Sequence, residues 1–157
     1  MQLVGQRCTY PVELRSLKEN RVGVAANDIG FACAATEAST SYVTECRIGS
    51  KKVSNFQAIQ HKVAVMATEI EATIWLVNCG ARWIDQEPLV AETALKAKLI
   101  ASESALCATE QAIRIHSGAG IILENTVGCF HCDTLVYIIG EGTRETQRNV
   151  IARNLGL

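Results

Sequence analysis

Proline is the residue a helix tolerates least, and in 157 residues it occurs only as Pro11 and Pro88. Inside a helix it removes a hydrogen bond and clashes with the preceding turn, so its scarcity leaves long stretches free to be helical. Alanine, the best helix former, is abundant in those stretches. Alternating apolar and polar runs that would signal strands are nearly absent. An all-α chain is expected.

Apolar spacing divides the chain into helices. The first runs from about Pro11 to Cys46, with Val22, Ala25, Ile29, Cys33 and Thr36 recurring at helical spacing. Its small residues, Ala25, Ala26, Gly30, Ala32, Ala34 and Ala35, would let a neighbouring helix approach closely. The second opens on a capping-box pattern, Ser54 followed by Gln57, and carries Phe56, Ile59, Val63, Met66, Ile70, Ile74 and Val77 on one stripe. A loop from Arg82 to Glu87 leads to Pro88, which suits a first helical turn, and Leu95, Leu99, Ser102, Leu106, Thr109 and Ile113 mark the third helix. Gly118 and Gly120 end it. An irregular stretch with a short helix follows, and Gly142-Thr143 opens a last helix that Thr143 can cap, with Val150, Ile151 and Leu155 as its apolar side. Long helices with brief connections predict an antiparallel four-helix-type bundle over residues 11–157, preceded by an irregular arm at residues 1–10.

Charge and cysteine usage narrow the function classes. Fifteen Lys plus Arg stand against sixteen Asp plus Glu, a formal net charge of −1, so no global field draws nucleic acid or an anionic membrane. Met1 to Cys8 lack the charged start and apolar core of a signal peptide, and no apolar run is expected to reach the roughly 20 residues of a membrane span. The expected location is cytoplasmic. Seven cysteines, an odd number in helical surroundings, suit reduced thiols that act as small core fillers better than a disulfide framework.

Three metal or redox readings fail on spacing. Cys129-Phe130-His131-Cys132 has the form of half a zinc site, but no second ligand pair lies at a fitting distance. As a redox pair it lacks a βαβ context, and its plain reading is two thiols one helical turn apart. A di-iron bundle would need Glu-x-x-His pairs, which do not occur, and His61 is expected on a solvated face. No metal is expected.

Several segments, in order, resemble those of the acyl-CoA dehydrogenases: Asn20-Arg21-Val22-Gly23-Val24-Ala25-Ala26, Phe56-Gln57-Ala58-Ile59-Gln60, Met66-Ala67-Thr68-Glu69-Ile70-Glu71-Ala72, Ile115-His116-Ser117-Gly118-Ala119-Gly120 and Glu141-Gly142-Thr143. The closing Gln147 to Leu155 extends the resemblance, which covers nearly the whole chain from about Leu3 and corresponds to the family's C-terminal helical domain. It implies FAD-dependent α,β-dehydrogenation of an acyl-CoA thioester, with Glu141 as the base that removes the α proton. Burial against an apolar chain and a flavin ring would raise the pKa of that carboxyl. Without the resemblance, Glu141 would be an acidic residue near a helix N-terminus, which the dipole favours anyway.

The same resemblance assigns other positions. Gly142 leaves room for substrate and Arg21 matches an arginine near the acyl-CoA channel, its plain alternative being a solvated or ion-paired helix residue. Thr143, Arg144 and Glu145 occupy the flavin-contacting start of the last helix. Gln57 matches a flavin-contacting glutamine, and the capping box explains it equally well. Arg114, Ile115, His116, Ser117 and Gly118 match the turn against the flavin pyrophosphate, with Ser117-Gly118 in place of paired glycines.

Departures weaken the expected hold on FAD. Where the family usually has an arginine reaching a flavin phosphate of a neighbouring subunit, this chain has Cys46 followed by Arg47, and only Arg47 could supply that contact. Cys129 and Cys132 stand at two further arginine positions, and Gly140 replaces the aromatic before the base. The family's N-terminal helical and central β-barrel domains have no counterpart in these residues, so the chain alone is expected to be inactive. Two readings follow: the flavin-binding part of a dehydrogenase, or a non-catalytic oligomerisation and interaction module that has lost FAD. Either implies a homodimer or homotetramer, with acyl-CoA as ligand only in a completed site.

Overall fold

The computed structural model describes residues 9–83 and 91–157. In these, α1 spans Thr9–Glu45, α2 Gln57–Trp83, α3 Ala91–His116, α4 Thr126–Ile139 and α5 Arg144–Asn154. Between α1 and α2 a two-residue hairpin pairs β1 (Arg47–Ile48) antiparallel with β2 (Lys51–Lys52), Arg47 opposite Lys52, and a 3-10 turn follows at Val53–Asn55. A second 3-10 turn, Ser117–Gly120, follows α3.

Helix α3 is the centre, packing on α1, α2, α4 and α5. The sequence explains this by size: Ala94, Ala101, Ala105, Ala108 and Ala112 recur at alternating spacings of seven, four and three and are at most 2% exposed. With Ala25, Ala32 and Ala35 equally buried on α1, the two backbones can pack close together. Larger residues fill the remaining space, chiefly Met66 and Ile70 of α2, Val43 of α1, Ile115 of α3 and Val127 of α4. Phe31 packs with its ring tilted against those of Phe130 and Tyr137, tying α1 to α4.

The all-α expectation holds, with local corrections. Helix α1 is already formed at Thr9, and residues 1–8 of the expected arm lie outside the described residues. So do Pro88 and most of the expected loop, while Arg82 belongs to α2. The buried stripe of α1 is shifted from the expected one: Asp28 is fully buried where Ile29 is half-buried, and Ala26 and Gly30 face solvent. The Ser54 capping box does not form, because the 3-10 turn takes Ser54 and α2 starts at Gln57; Gln60 Nε2 instead donates to the Ser54 carbonyl at 2.9 Å. The short helix expected before the last one is 14 residues long and exceeds α5. Asn125 caps it, accepting from Val127 N at 3.1 Å.

Two composition arguments also need correction. By length and apolar content Gln57–Arg82, which contains an 18-residue window of mean hydropathy 1.2, could cross a bilayer. Here it is a bundle helix packed on α1 and α3, with Glu69 and Glu71 on its exposed side. Among the described residues no cysteine is fully buried: Cys79, Cys129 and Cys132 are exposed, Cys107 is a half-buried free thiol, and Cys33 and Cys46 are half-buried free thiols packed against the edge of the core.

Candidate active site

The break between α4 and α5 is built by three residues, two of them with positive φ. Helix α4 closes on Gly140, whose N–H donates to the Val136 carbonyl at 3.1 Å. Glu141 then adopts φ +56° and Gly142 φ +104°. A left-handed φ is uncommon outside glycine, and such strain persists only where the surroundings over-determine it.

Side chains from three helices do so here. Arg21 of α1 donates from Nε to the Glu141 carbonyl at 3.3 Å. Lys98 of α3 donates from Nζ to the Gly142 carbonyl at 3.1 Å and the Ile138 carbonyl at 3.3 Å. Gln147 of α5 donates from Nε2 to the Gly142 carbonyl at 3.0 Å. Thr143 then caps α5, its hydroxyl accepting from Thr146 N at 3.4 Å. Local donors, first the backbone N–H of Glu145 itself and then the Thr143 hydroxyl, hold the Glu145 carboxyl below the usual carboxylate range.

Beneath the turn the charges are buried. Lys98, Asp28 and Gln147 are all 0% exposed. Among the described residues, both oxygens of Asp28, Oε1 of Gln147 and Nε of Arg144 lack a hydrogen-bond partner. Burial pushes the Asp28 carboxyl up to about 7, with Lys98 acting in the opposite direction. Burial also lowers the Lys98 ammonium, opposed first by Asp28, and lowers the Arg21 guanidinium, opposed by Glu141. In each case desolvation exceeds the attraction of the partner, as expected for charges removed from water without a close ion pair.

The remaining sequence-derived positions gather elsewhere. Tyr42, near the end of α1, stacks on His116 at the end of α3 with ring centroids 4.3 Å apart. His116 and Ile115 are buried, and His116 Nδ1 lies 2.8 Å from the Ala112 carbonyl, so their side chains face the bundle. Arg114 lies along its own helix, paired with Glu110. Ser117 has φ +55° and is exposed, as is Gly118, which has open space at its Cβ position. Arg47 is exposed and donates to the Ser50 carbonyl at 3.3 Å; Gln57 is exposed at the first residue of α2. Lys98 and His116 are eighteen positions apart on one helix, or about 27 Å at 1.5 Å per residue. The Glu141 turn and the Ser117–Gly120 turn therefore mark opposite ends of the bundle.

Sequence reasoning missed Lys98, Asp28 and Gln147. A signal existed for one of them, since Lys98 occupies the next place in the alanine series of α3. His131 is engaged within the fold, Nδ1 lying 3.1 Å from Thr109 Oγ1. Among the described residues no cluster of three or more His, Cys, Asp or Glu could hold a metal.

A family profile described as acyl-CoA dehydrogenase, C-terminal domain, matches residues 10–156. The chain belongs to the acyl-CoA dehydrogenase family. It is 42% identical over 142 residues to a probable acyl-CoA dehydrogenase, YngJ, of Bacillus subtilis, covering 90% of this chain and 37% of that protein. The mitochondrial short/branched chain specific acyl-CoA dehydrogenase of Rattus norvegicus is 33% identical over 147 residues, covering 93% and 34%. Butyryl-CoA dehydrogenase of Megasphaera elsdenii superposes with a TM-score of 0.91 at 31% identity, over 95% of this chain and 39% of that one. This acyl-CoA dehydrogenase domain thus spans between a third and two fifths of the length of those relatives. FAD-dependent dehydrogenation is the function of the family.

The residues at the α5 start fit a cofactor rich in acceptors. Arg144 Nε is a buried donor without an acceptor among the described residues, and a helix N-terminus adds N–H groups and a favourable dipole. At the other end, Arg47 and Arg114 are exposed cations that could meet phosphate after leaving the Ser50 carbonyl and Glu110.

Proposed function

We propose that this domain supplies the base and part of the flavin cradle for α,β-dehydrogenation of an acyl-CoA thioester. The observation that carries this is the strained Glu141-Gly142 turn, held by donors from α1, α3 and α5 next to the α5 N-terminus. Glu141 takes the α proton on its carboxylate as the α–β double bond forms. FAD, when bound, supplies the acceptor for the β hydrogen, which leaves as hydride. Gly142, without a side chain, leaves space for the thioester, and Arg21 fixes the Glu141 backbone from the side of the acyl-CoA channel. Thr143, Arg144 and Glu145 would hold the flavin at this end. Exclusion of water from the reacting atoms requires residues corresponding to the rest of the relatives' length, without which these 157 residues turn over no substrate.

Gln57, Arg47, Arg114 and the Ser117-Gly118 turn would hold phosphate at the opposite end, about 27 Å from Lys98 by helix rise. Two copies paired end to end would complete a site from one Glu141 turn and the other copy's distal residues. A homodimer or homotetramer follows. Exposed Trp75, Leu135, Val136 and Ile139 offer apolar surface for companion domains or copies. The expected setting is a water-soluble cytoplasmic protein.

Absorption spectroscopy after incubation with FAD and desalting tests the cofactor reading. Retained flavin supports it, and a colourless protein favours the interaction module. In an assembly that turns over acyl-CoA, Glu141→Gln should reduce kcat by about 100-fold or more with flavin retained. Unchanged turnover in that variant would remove Glu141 from the base role.

A further inference from the structure

Lys98 has no role in the chemistry proposed above, yet it is an ammonium with 0% exposure inside an alanine-lined helix face. A lysine in such a place loses its hydration, and a neutral residue would serve packing better. Its donors do not go to the buried carboxyl of Asp28, whose oxygens have no hydrogen-bond partner among the described residues. They go to two main-chain carbonyls on either side of Glu141, those of Ile138 and Gly142. The Gly142 carbonyl takes a second bond from Gln147, and the Glu141 carbonyl one from Arg21. All three carbonyls thereby accept a side-chain bond, and Glu141 remains left-handed between them.

We propose that Lys98 is a positioning residue for the base: it bridges the end of α4 to Gly142 and so locks the left-handed conformation that aims the Glu141 carboxylate. Asp28, when ionised, favours the charged form of the ammonium from α1. Gln147 completes the clamp from α5. The proposal rests on the reading of Glu141 as base, but the clamp can be observed without flavin or turnover.

Amide hydrogen exchange by NMR on the full chain provides that observation. The N–H groups of Gly140, Thr146 and Gln147, bonded to Val136 O, Thr143 Oγ1 and Thr143 O, report on the turn. Those between Ala105 and Ala112 report on the central helix. In Lys98→Met the three turn amides should exchange about tenfold faster or more, with the α3 amides unchanged. Lys98→Arg, which keeps a cation and donors, should return them to within about threefold of wild type. The double variant Lys98→Met/Asp28→Leu removes both buried charges and guards against unfolding caused by a lone carboxylate. It should show the same local acceleration.

Unchanged turn amides in a folded Met variant would overturn the proposal. So would equal acceleration along α3, or unfolding of both variants, since each assigns Lys98 to the stability of the whole bundle. Failure of Glu141→Gln to slow acyl-CoA turnover would instead remove the base reading and leave the exchange result as it stands.

Discussion

Asp28→Asn should change stability in a strongly pH-dependent way. Asp28 is 0% exposed, neither oxygen has a partner, and burial raises its carboxyl from 3.8 to about 7. The groups that face it and its neighbour Lys98 are Arg21 of α1, Arg144 of α5 and Glu141 of the turn. Because the folded pKa lies above the unfolded one, the native state binds more protons between those values. Stability from this group is therefore complete below about pH 4, declines as pH rises, and levels off above about 7. Over about three pH units at about 1.4 kcal/mol per unit, the loss amounts to about 4 kcal/mol. Other carboxyls also titrate in that range, so the useful quantity is the difference between variant and wild type. Urea unfolding at pH 5 and pH 8 measures it. Asparagine cannot ionise, so the variant should gain about 2–3 kcal/mol relative to wild type between those two conditions. A constant difference at both pH values would mean that Asp28 keeps its ordinary pKa and that its surroundings are wetter than the packing indicates.

Three further outcomes follow from the same geometry. Gly142→Ala places a Cβ only in ordinary contact with Arg21 Nη2, at 3.9 Å, but at φ +104°; the strain should cost about 1–3 kcal/mol, read as a fall in Tm. Cys79, Cys129 and Cys132 should react with a thiol reagent before Cys33 and Cys107, whose thiols burial pushes up; simultaneous labelling would contradict the packing. Arg47→Ala should weaken FAD binding by about tenfold to a hundredfold in a fluorescence titration if Arg47 meets a phosphate, and unchanged affinity would remove it from the cofactor site.

How far the fold could be read depended on residue size. The α2 stripe was legible because Met66, Ile70 and Val77 are large enough to stand out at helical spacing, and all three are buried. On α1 and α3 the buried faces are alanine, whose weak contrast shifted the expected stripe onto neighbours such as Ile29 and Leu99, both half-buried. Helix α4 was under-read because Gly128, Cys129, His131 and Cys132 dilute a pattern whose cap, Asn125, was nonetheless visible. Ser54 and Gln57 satisfied a local rule, but the hairpin at Arg47–Lys52 delivers the chain into a 3-10 turn first. The Glu141-Gly142-Thr143 motif could be recognised from residues alone. What holds it could not, because Arg21 and Lys98 come from 120 and 44 positions away.

The restraints on Glu141 and the distal residues lie at opposite ends of the bundle. Everything that restrains Glu141 belongs to one end: Arg21 is in the first half of α1, Lys98 is near the start of α3, and Gln147 is in α5. Cys46 and Arg47 belong to the other, where Cys46 packs against the apolar core and Arg47 donates to its own hairpin. Since α3 puts about 27 Å between Lys98 and His116, loss of a guanidinium at the distal end leaves the carbonyl clamp intact. A change at the distal end should therefore act on cofactor retention, and a change in the clamp on the orientation of the base. The second can persist after the first has weakened, because among the described residues the side-chain hydrogen bonds that fix the Glu141 turn come from Arg21, Lys98 and Gln147.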